Sequence, residues 1–195
     1  SYNFELQTSI QGPGTYWFYG TNSCISGDGK VAVVATRYDF FVYKYTNGVW
    51  TSVYRSNSYG YVSNVQINND GTLISISAPY YNNVGQIDVY KFDGTNISVI
   101  ASLNGTYTNQ YFGFSMAMTP DGTGFVIADM NSIHSYSFDG TTFTQFGNDV
   151  STATNYPRNL AINNAGTMFA YYSDDTFTRV YEFSAGLWMQ KGSPI

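Results

Sequence analysis

Short apolar runs alternate with glycine-containing turns along the whole chain. Residues 59–104 show the pattern most fully, as YGYVSNVQI, LISISAP, QIDVYKF and ISVIASLNG. Each run is rich in Val, Ile and Tyr and alternates apolar with polar positions, which is typical of β-strands. The connecting turns at Asp70-Gly71 and Asp93-Gly94 suit tight hairpins, since glycine readily adopts a positive φ. The segment therefore predicts an antiparallel meander of four strands.

This unit recurs at a fixed interval. The turn glycines Gly48, Gly94, Gly140 and Gly186 are spaced by 46, 46 and 46 residues. A constant period of this length with four strands per period is typical of a β-propeller, in which each small sheet buries its faces against its neighbours. We therefore predict an all-β fold, a β-propeller of four-stranded antiparallel blades within a single domain. Four blades are expected, at about 20–54, 59–102, 112–149 and 157–195.

Residues 1–11 resemble the outer strand of a blade, so the chain holds five outer strands for four sets of the other three. Two arrangements remain open. The chain forms a closed four-bladed ring with an extra N-terminal outer strand, or it is part of a larger propeller that a second copy completes. The absence of an initial methionine favours a fragment of a larger propeller.

The loops of a propeller blade separate onto two faces of the disc. One face collects the short Asp-Gly and Asn-Gly turns, which are nearly uniform in this sequence. The other face collects loops that differ between blades and carry surplus aromatic residues. Because loops on a rigid scaffold often bind ligands, we expect the functional surface here. The candidate ligand-binding residues, with Arg37 as a charged anchor, are Trp17, Arg37, Tyr38, Tyr80, Tyr81, Asn82, Asn83 and Asp175.

Composition narrows the functional classes. Only 11% of the 195 residues are charged and the net charge is −5, which argues against nucleic-acid binding, since that requires clustered Lys and Arg. No apolar run reaches the roughly 18 residues of a membrane span. The single Cys24 excludes an internal disulfide and is expected to be buried in its strand. Glycosylation sequons at Asn96 and Asn104 would suit an extracellular or surface location, on a cell or a virion.

The sequence shows no recognisable catalytic arrangement. His134 is the one histidine, lies within a predicted strand, and has no acid placed beside it by the pattern. We therefore expect a non-enzymatic recognition or surface-structural propeller that binds a protein or glycan, without a cofactor. Two alternatives remain: a glycan-active enzyme that uses loop aspartates, or an architectural subunit of a cell-surface or virion layer. The aspartates of the enzyme alternative are Asp39, Asp129 and Asp174.

One blade carries motifs that resemble a known repeat. Residues 59–94 contain Tyr59-Gly60, Asp70-Gly71, Ala78-Pro79 and a VYKFDG run, and so resemble the FG-GAP type of repeat found in integrin α-chain propellers. WD40-like propellers share the Asp-Gly turns and are the alternative resemblance. The FG-GAP resemblance implies a Ca²⁺ site in the first hairpin loop of a blade. The matching loops, at 26–30, 68–72, 119–123 and 163–167, hold one carboxylate or none, so we predict no metal site.

Overall fold

The computed structural model describes residues 9–10, 12, 19–56, 60–152 and 156–195. The predicted extra strand at 1–11 lies outside these ranges apart from residues 9 and 10. Helical structure in the described part is a single 3₁₀ turn, Tyr81–Asn83, so no helix there is long and apolar enough to cross a membrane. The remaining elements are antiparallel strands and turns, as the all-β prediction requires.

The strands form four antiparallel sheets, which we call blades 1 to 4. Blade 1 contains β1 (Asn22–Ile25), β2 (Val31–Ala35), β3 (Phe40–Thr46) and β4 (Val49–Arg55). Blade 2 contains β5 (Asn64–Ile67), β6 (Leu73–Ala78), β7 (Gln86–Phe92) and β8 (Ile97–Asn104). Blade 3 contains β9 (Ser115–Met118), β10 (Gly124–Ala128), β11 (Ser132–Phe138), β12 (Phe143–Gln145) and β13 (Val150–Ser151). Blade 4 contains β14 (Arg158–Ile162), β15 (Met168–Tyr172), β16 (Thr178–Ser184) and β17 (Leu187–Gln190). The predicted four-bladed propeller architecture is confirmed.

Consecutive blades pack face to face. The core between blades 1 and 2 joins Val33 and Val42 to Ile74 and Ile76, each of them fully buried. Similar cores join blade 2 to blade 3 and blade 3 to blade 4. The inner strands lie in the order β1, β5, β9 and β14, and the described residues give no comparable packing between β1 and β14.

An internal blade is buried on both faces, which changes how its strands read. In β7 the alternate residues Ile87 and Val89 are fully buried against blade 3. Tyr90 and Phe92, on the opposite face of the same strand, are buried against blade 1. Successive residues of such a strand therefore face the two neighbouring blades in turn. They do not alternate between the core and solvent.

The outer strand of blade 3 is interrupted. Its first part, β12, pairs with one end of β11, and a second short strand, β13, pairs with the other end. Between them Phe146 turns onto blade 4, where its ring lies 5.1 Å from the ring of Phe183. The side-chain oxygen of Asn148 accepts a hydrogen bond from the Trp188 backbone N–H at 2.7 Å. The interruption thus exchanges strand pairing within blade 3 for contacts with blade 4.

The Asp-Gly turns are closed by their own carboxylates. Asp28, Asp70 and Asp121 each accept a hydrogen bond from the backbone N–H two residues later, at 3.0 Å in all three turns. A hydroxyl within each turn also donates to the same carboxylate. These hydrogen bonds hold the pKa of each aspartate below its ordinary value. The carboxylates serve the turns, in the manner of Asx turns.

Gly85 provides a test of the packing between blades 2 and 3. Its φ is +90°, and a Cβ atom at this position would lie 2.2 Å from the carbonyl oxygen of Phe112. Gly140 has a similar φ of +99°, but a Cβ atom there would have no neighbour within 4 Å. Gly140→Ala therefore introduces only the backbone strain.

We expect Gly85→Ala to lower the free energy of unfolding by about 3 kcal/mol or more, because strain and overpacking add. The matched Gly140→Ala variant should lose only about 1 kcal/mol, since strain alone acts there. Urea unfolding of both variants checks this expectation. Equal losses in the two variants would contradict the close contact at Gly85.

Candidate functional site

A cavity of about 560 Å³ lies where the inner strands of the four blades begin. We call it the central cavity. Its wall combines residues at the starts of the inner strands with residues of the loops that lead into them or follow the second strands. The polar lining residues are Asn22, Ser63, Asn64, Ser115, Arg158 and Asn159, and the others are Tyr61, Pro79, Tyr80, Tyr111, Phe114, Met130 and Tyr156.

The repeat builds the polar part of this wall. Asn22, Asn64 and Ser115 are the first residues of β1, β5 and β9, and each pairs with a residue near the end of the following strand. Asn159 occupies the corresponding part of β14. Because four blades place the same strand end near the same point, polar side chains from distant parts of the sequence meet around the cavity.

Some of these polar groups connect neighbouring blades. The Ser63 hydroxyl donates to the carbonyl oxygen of Phe114 at 2.9 Å, and the Ser115 hydroxyl accepts from the Leu160 backbone N–H at 3.1 Å. The side-chain amides of Asn64 and Asn159, by contrast, make no hydrogen bond with the described residues. These two amides are available to bind a ligand, with both donor and acceptor atoms.

Asn159 has an unusual backbone conformation. The pairing of β14 with β15 shifts between Arg158 and Ala161, and within this bulge Asn159 adopts a φ of +49°. Asparagine tolerates this left-handed region better than most residues. β-Bulges next to functional sites commonly redirect a side chain, and here the bulged residue lines the cavity.

Aromatic rings form the rim of the cavity. The ring of Tyr80 lies 5.1 Å from that of Tyr61 and 5.2 Å from that of Tyr111, both in edge-to-face geometry. Tyr80 is half exposed, with 50% of its surface accessible. Tyrosine combines an apolar ring with a polar hydroxyl, so this rim suits a ligand with both apolar and hydroxylated surfaces.

An arginine and an aspartate form a charged pair at the wall. Arg158 Nε donates to Asp174 Oδ1 at 2.7 Å, and Arg158 Nη2 donates to Asp174 Oδ2 at 3.3 Å. The guanidinium carbon also lies 5.5 Å from the centre of the Phe114 ring. Hydrogen bonding to Arg158 lowers the pKa of Asp174, so its carboxylate is ionised at neutral pH. The pair fixes a guanidinium at the cavity with an ionised carboxylate beside it.

The predicted binding residues of blade 2 lie at or beside this cavity. Tyr80 lines it, and Tyr81, Asn82 and Asn83 form the exposed 3₁₀ turn that follows. Asn82 and Asn83 both have positive φ, at +48° and +60°. The predicted Trp17 lies outside the described residues.

The predicted residues of blade 1 border a second, smaller cavity. This cavity of about 170 Å³ is lined by Thr21, Arg37, Tyr61 and Val62, and it shares Tyr61 with the central cavity. Tyr38 does not line it, but its ring centre lies 5.5 Å from the Arg37 guanidinium carbon.

Asp175, also a predicted binding residue, holds a turn together. Its two oxygens accept from Arg179 at 3.0 and 2.5 Å, and the Ser173 hydroxyl donates to it as well. These hydrogen bonds, that of Arg179 first, hold the pKa of Asp175 well below its ordinary range. Asp175 does not line either cavity described above.

The aspartates of the enzyme alternative lie in different surroundings in the described part of the chain. Asp39 is buried and bound to Arg55 at 3.1 Å, while Asp129 is buried and bound to His134 at 3.1 Å. Only Asp174 borders the central cavity, through Arg158. The physical reason is that buried carboxylates require charged or N–H partners, which each blade supplies internally.

His134 has two carboxylates beside its ring, which the sequence pattern does not indicate. Its Nδ1 lies 2.9 Å from Asp149 Oδ1 and its Nε2 lies 3.1 Å from Asp129 Oδ2. Gln110 Nε2 donates to the same Asp129 oxygen at 2.9 Å. Burial lowers the pKa of His134, but the two carboxylates outweigh that effect and leave the pKa raised. The cluster joins a loop, β11 and the interrupted outer edge of blade 3.

Other reactive groups offer little chemistry. Burial raises the pKa of the Cys24 thiol to about 12, so the thiol is neutral, and it packs against the core between blades 1 and 2. Within the described ranges no group of three or more His, Cys, Asp or Glu residues could hold a metal ion. The groups that line the central cavity are therefore mainly amides, hydroxyls and aromatic rings, with one arginine.

Sequence reasoning missed the polar residues of the central cavity. Asn22, Asn64 and Asn159 are exposed or half-buried residues of inner strands and carry no catalytic motif. Aligning the four repeats would have placed these residues and Ser115 in one column. That column was the signal available for the site, since all four residues line the central cavity.

Comparison with known proteins supports the fold. No protein-family model matches the sequence, and no curated protein matches it significantly. Among solved structures, a proposed 6-phosphogluconolactonase from Bacteroides uniformis is similar, with a TM-score of 0.70 and 14% identity. It covers 89% of this chain and 54% of its own. A second proposed 6-phosphogluconolactonase, from Bacteroides fragilis, has a TM-score of 0.65 and 16% identity over 89% of this chain and 53% of its own. The chain thus spans about half the length of these structures.

These comparisons correct the functional expectation. The chain was predicted to be a non-enzymatic recognition or structural propeller, but the structures that share its fold are described as enzymes. An enzymatic role is hard to predict from the sequence, because the described residues that line the cavity contain none of the Ser-His-Asp or paired-carboxylate patterns by which enzymes are commonly recognised.

The His134 cluster predicts a pH-dependent stability. The pKa of His134 in the folded protein is raised above its ordinary value of 6.5. The contribution of His134 to the free energy of unfolding is therefore complete at pH values below 6.5. The contribution is lost as pH rises through the folded pKa. We expect wild type to exceed His134→Gln in unfolding free energy by about 1.5–3 kcal/mol at pH 5.5, the range typical of charged hydrogen bonds.

The difference in unfolding free energy between wild type and His134→Gln should be smaller at pH 9 than at pH 5.5. Urea unfolding of both proteins across this pH range measures it. No other histidine contributes, since the chain has one. A difference between the two proteins that stayed constant from pH 5.5 to pH 9 would show that His134 is neutral throughout.

Proposed function

We propose that this chain forms part of the active site of a hydrolase that opens a lactone, or a comparable ester, of a sugar-derived polyol. The substrate binds in the central cavity. The observation that carries the proposal is the Arg158–Asp174 pair at the wall of a cavity lined with amides and tyrosines. The shared fold with proposed 6-phosphogluconolactonases adds support to the reaction class.

The cavity has the size and chemistry that such a substrate needs. Small-molecule sites generally enclose about 300–1,000 Å³, and the central cavity encloses about 560 Å³. The free amides of Asn64 and Asn159 can exchange hydrogen bonds with hydroxyl groups, while the ring of Tyr80 can cover the apolar face of a sugar ring.

The Arg158–Asp174 pair can perform the chemical step. In lactone hydrolysis a water oxygen bonds to the carbonyl carbon, negative charge develops on the carbonyl oxygen, and the ring C–O bond then breaks. The Arg158 guanidinium stabilises the developing oxyanion with N–H donors that Asp174 leaves unused. Asp174, which is ionised, accepts a proton from the attacking water and then gives this proton to the leaving ring oxygen, which becomes a hydroxyl. The product is a hydroxy acid.

Three broader features belong to the proposal. The repeats are related to the FG-GAP type, as the Ala78-Pro79 and Asp93-Gly94 motifs of blade 2 suggest. The protein acts outside the cell or at a cell or virion surface, a location that suits its sequons. It works as part of a larger propeller or as a homodimer, consistent with the lack of packing between β1 and β14 among the described residues.

The first test is hydrolysis of gluconolactone and 6-phosphogluconolactone, followed by proton release at constant pH and corrected for the spontaneous rate. We expect acceleration by the 195-residue chain. Arg158→Ala should lower kcat/KM by about 10²–10³-fold, the loss typical of a removed oxyanion donor. Asp174→Asn should lower kcat/KM by about 10²-fold through loss of the base.

A matched control is Lys191→Ala, which breaks an ion pair with Glu182 of similar exposure away from the cavity. This variant should keep wild-type activity. Wild-type rates no faster than the spontaneous reaction, or an Arg158→Ala variant as active as wild type, would overturn the proposal.

The bulged Asn159 allows a second test. Asn159→Gly keeps the positive φ accessible and removes the amide, so it separates the side chain from the backbone conformation. We expect KM to rise about tenfold, as for a lost ligand hydrogen bond, with kcat within about twofold of wild type. Steady-state kinetics with gluconolactone check this. A KM unchanged by the substitution would remove Asn159 from the binding site.

A further inference from the structure

Arg37 stands apart from the other arginines of this protein. Arg55, Arg158 and Arg179 each form an ion pair with an aspartate, at 3.1, 2.7 and 2.5 Å. Among the described residues Arg37 has no carboxylate oxygen within 4 Å. Its guanidinium therefore has no acidic partner in the described part of the chain, whose full sequence has a net charge of −5.

Aromatic rings hold Arg37 where a carboxylate would hold another arginine. The guanidinium carbon lies 5.5 Å from the ring centre of Tyr38 and 5.5 Å from that of Tyr61. The backbone supports this position, because the Val62 N–H donates to the Arg37 carbonyl oxygen at 3.0 Å. Stacking orients a guanidinium while leaving its edge, which carries the N–H groups, open to an anion.

The position of Arg37 connects it to the central cavity. Arg37 and Tyr61 line the smaller cavity of about 170 Å³, and Tyr61 also lines the central cavity. The Tyr61 hydroxyl makes no hydrogen bond with the described residues, so it is a second donor at the junction. A ligand whose sugar part occupies the central cavity can extend past Tyr61 to reach Arg37.

We propose that Arg37, with the hydroxyl of Tyr61, is an anion subsite that binds a phosphate or carboxylate group on the ligand of the central cavity. The planar guanidinium matches two oxygens of either group. The inference rests on the proposed function for the identity of the sugar part, and it adds the requirement that the preferred ligand is anionic at one end.

The test uses three sugars that differ only at the sixth carbon: glucose, glucuronate and glucose 6-phosphate. They carry a hydroxymethyl, a carboxylate and a phosphate group, and none is a lactone, so binding is measured without turnover. Titration calorimetry should show that at least one anionic sugar binds wild type ten times or more tightly than glucose does. The preferred anion identifies whether the subsite takes phosphate or carboxylate.

Arg37→Ala should remove this preference and leave the affinity for glucose unchanged, whereas Arg37→Lys should retain part of it. The matched control is Lys91→Ala, which removes one exposed positive charge on β7 and should keep the full preference. A wild type without preference for either anion, or an Arg37→Ala variant with the wild-type preference, would overturn the proposal.

The outcome is separable from that of the hydrolase proposal. An Arg37-dependent preference in a protein without lactonase activity would leave the anion subsite standing and refute the reaction. Lactonase activity without any Arg37-dependent preference would support the reaction and refute the anion subsite. Thermal unfolding of Arg37→Ala and Lys91→Ala verifies that both variants are folded.

Discussion

The site depends on the burial of each blade against the next. Ile74 and Ile76 of blade 2 pack on Val33 and Val42 of blade 1, and the same arrangement repeats along the chain. This apolar packing stabilises the fold and also sets the relative positions of the inner strands, since close-packed sheets cannot slide without opening voids. Because the strand ends are fixed in this way, four polar residues from equivalent positions of the repeats can surround one cavity.

Charged groups are divided between structure and cavity. Asp28, Asp70 and Asp121 close their own turns, while Asp39 and Asp129 join strands within blades 1 and 3. A carboxylate used in this way cannot serve a ligand without exposing unpaired donors. The cavity is consequently built from amides, tyrosines and arginine. This division explains why a search for catalytic aspartates among the loops identified mainly structural residues.

The fold could be read from the sequence because its determinants are local and repeated. The interval of 46 residues between turn glycines and the apolar runs between them define the blades. The charged contacts at and near the site were harder to predict, since they join residues that the repeat does not relate. Arg158 meets Asp174 across sixteen residues, and His134 meets Asp149 only because the outer strand of blade 3 is interrupted. Tyr80 and Arg37, which line cavities, could be proposed as binding residues because loop aromatics and an unusual loop cation are visible in the sequence.

The two arginines near the cavities contribute different electrostatics. Arg158 is held by Asp174, so the pair carries no net charge and acts over short distances, as suits the stabilisation of charge that develops on a bound substrate. Arg37 is held by uncharged rings, and no acid among the described residues cancels its positive charge. In a chain of net charge −5 an anionic ligand is repelled at long range, and local positive potential must offset that repulsion. The Arg37 guanidinium, which contacts uncharged rings, supplies positive potential next to the cavity. Arg158 cannot supply it, because Asp174 offsets its charge.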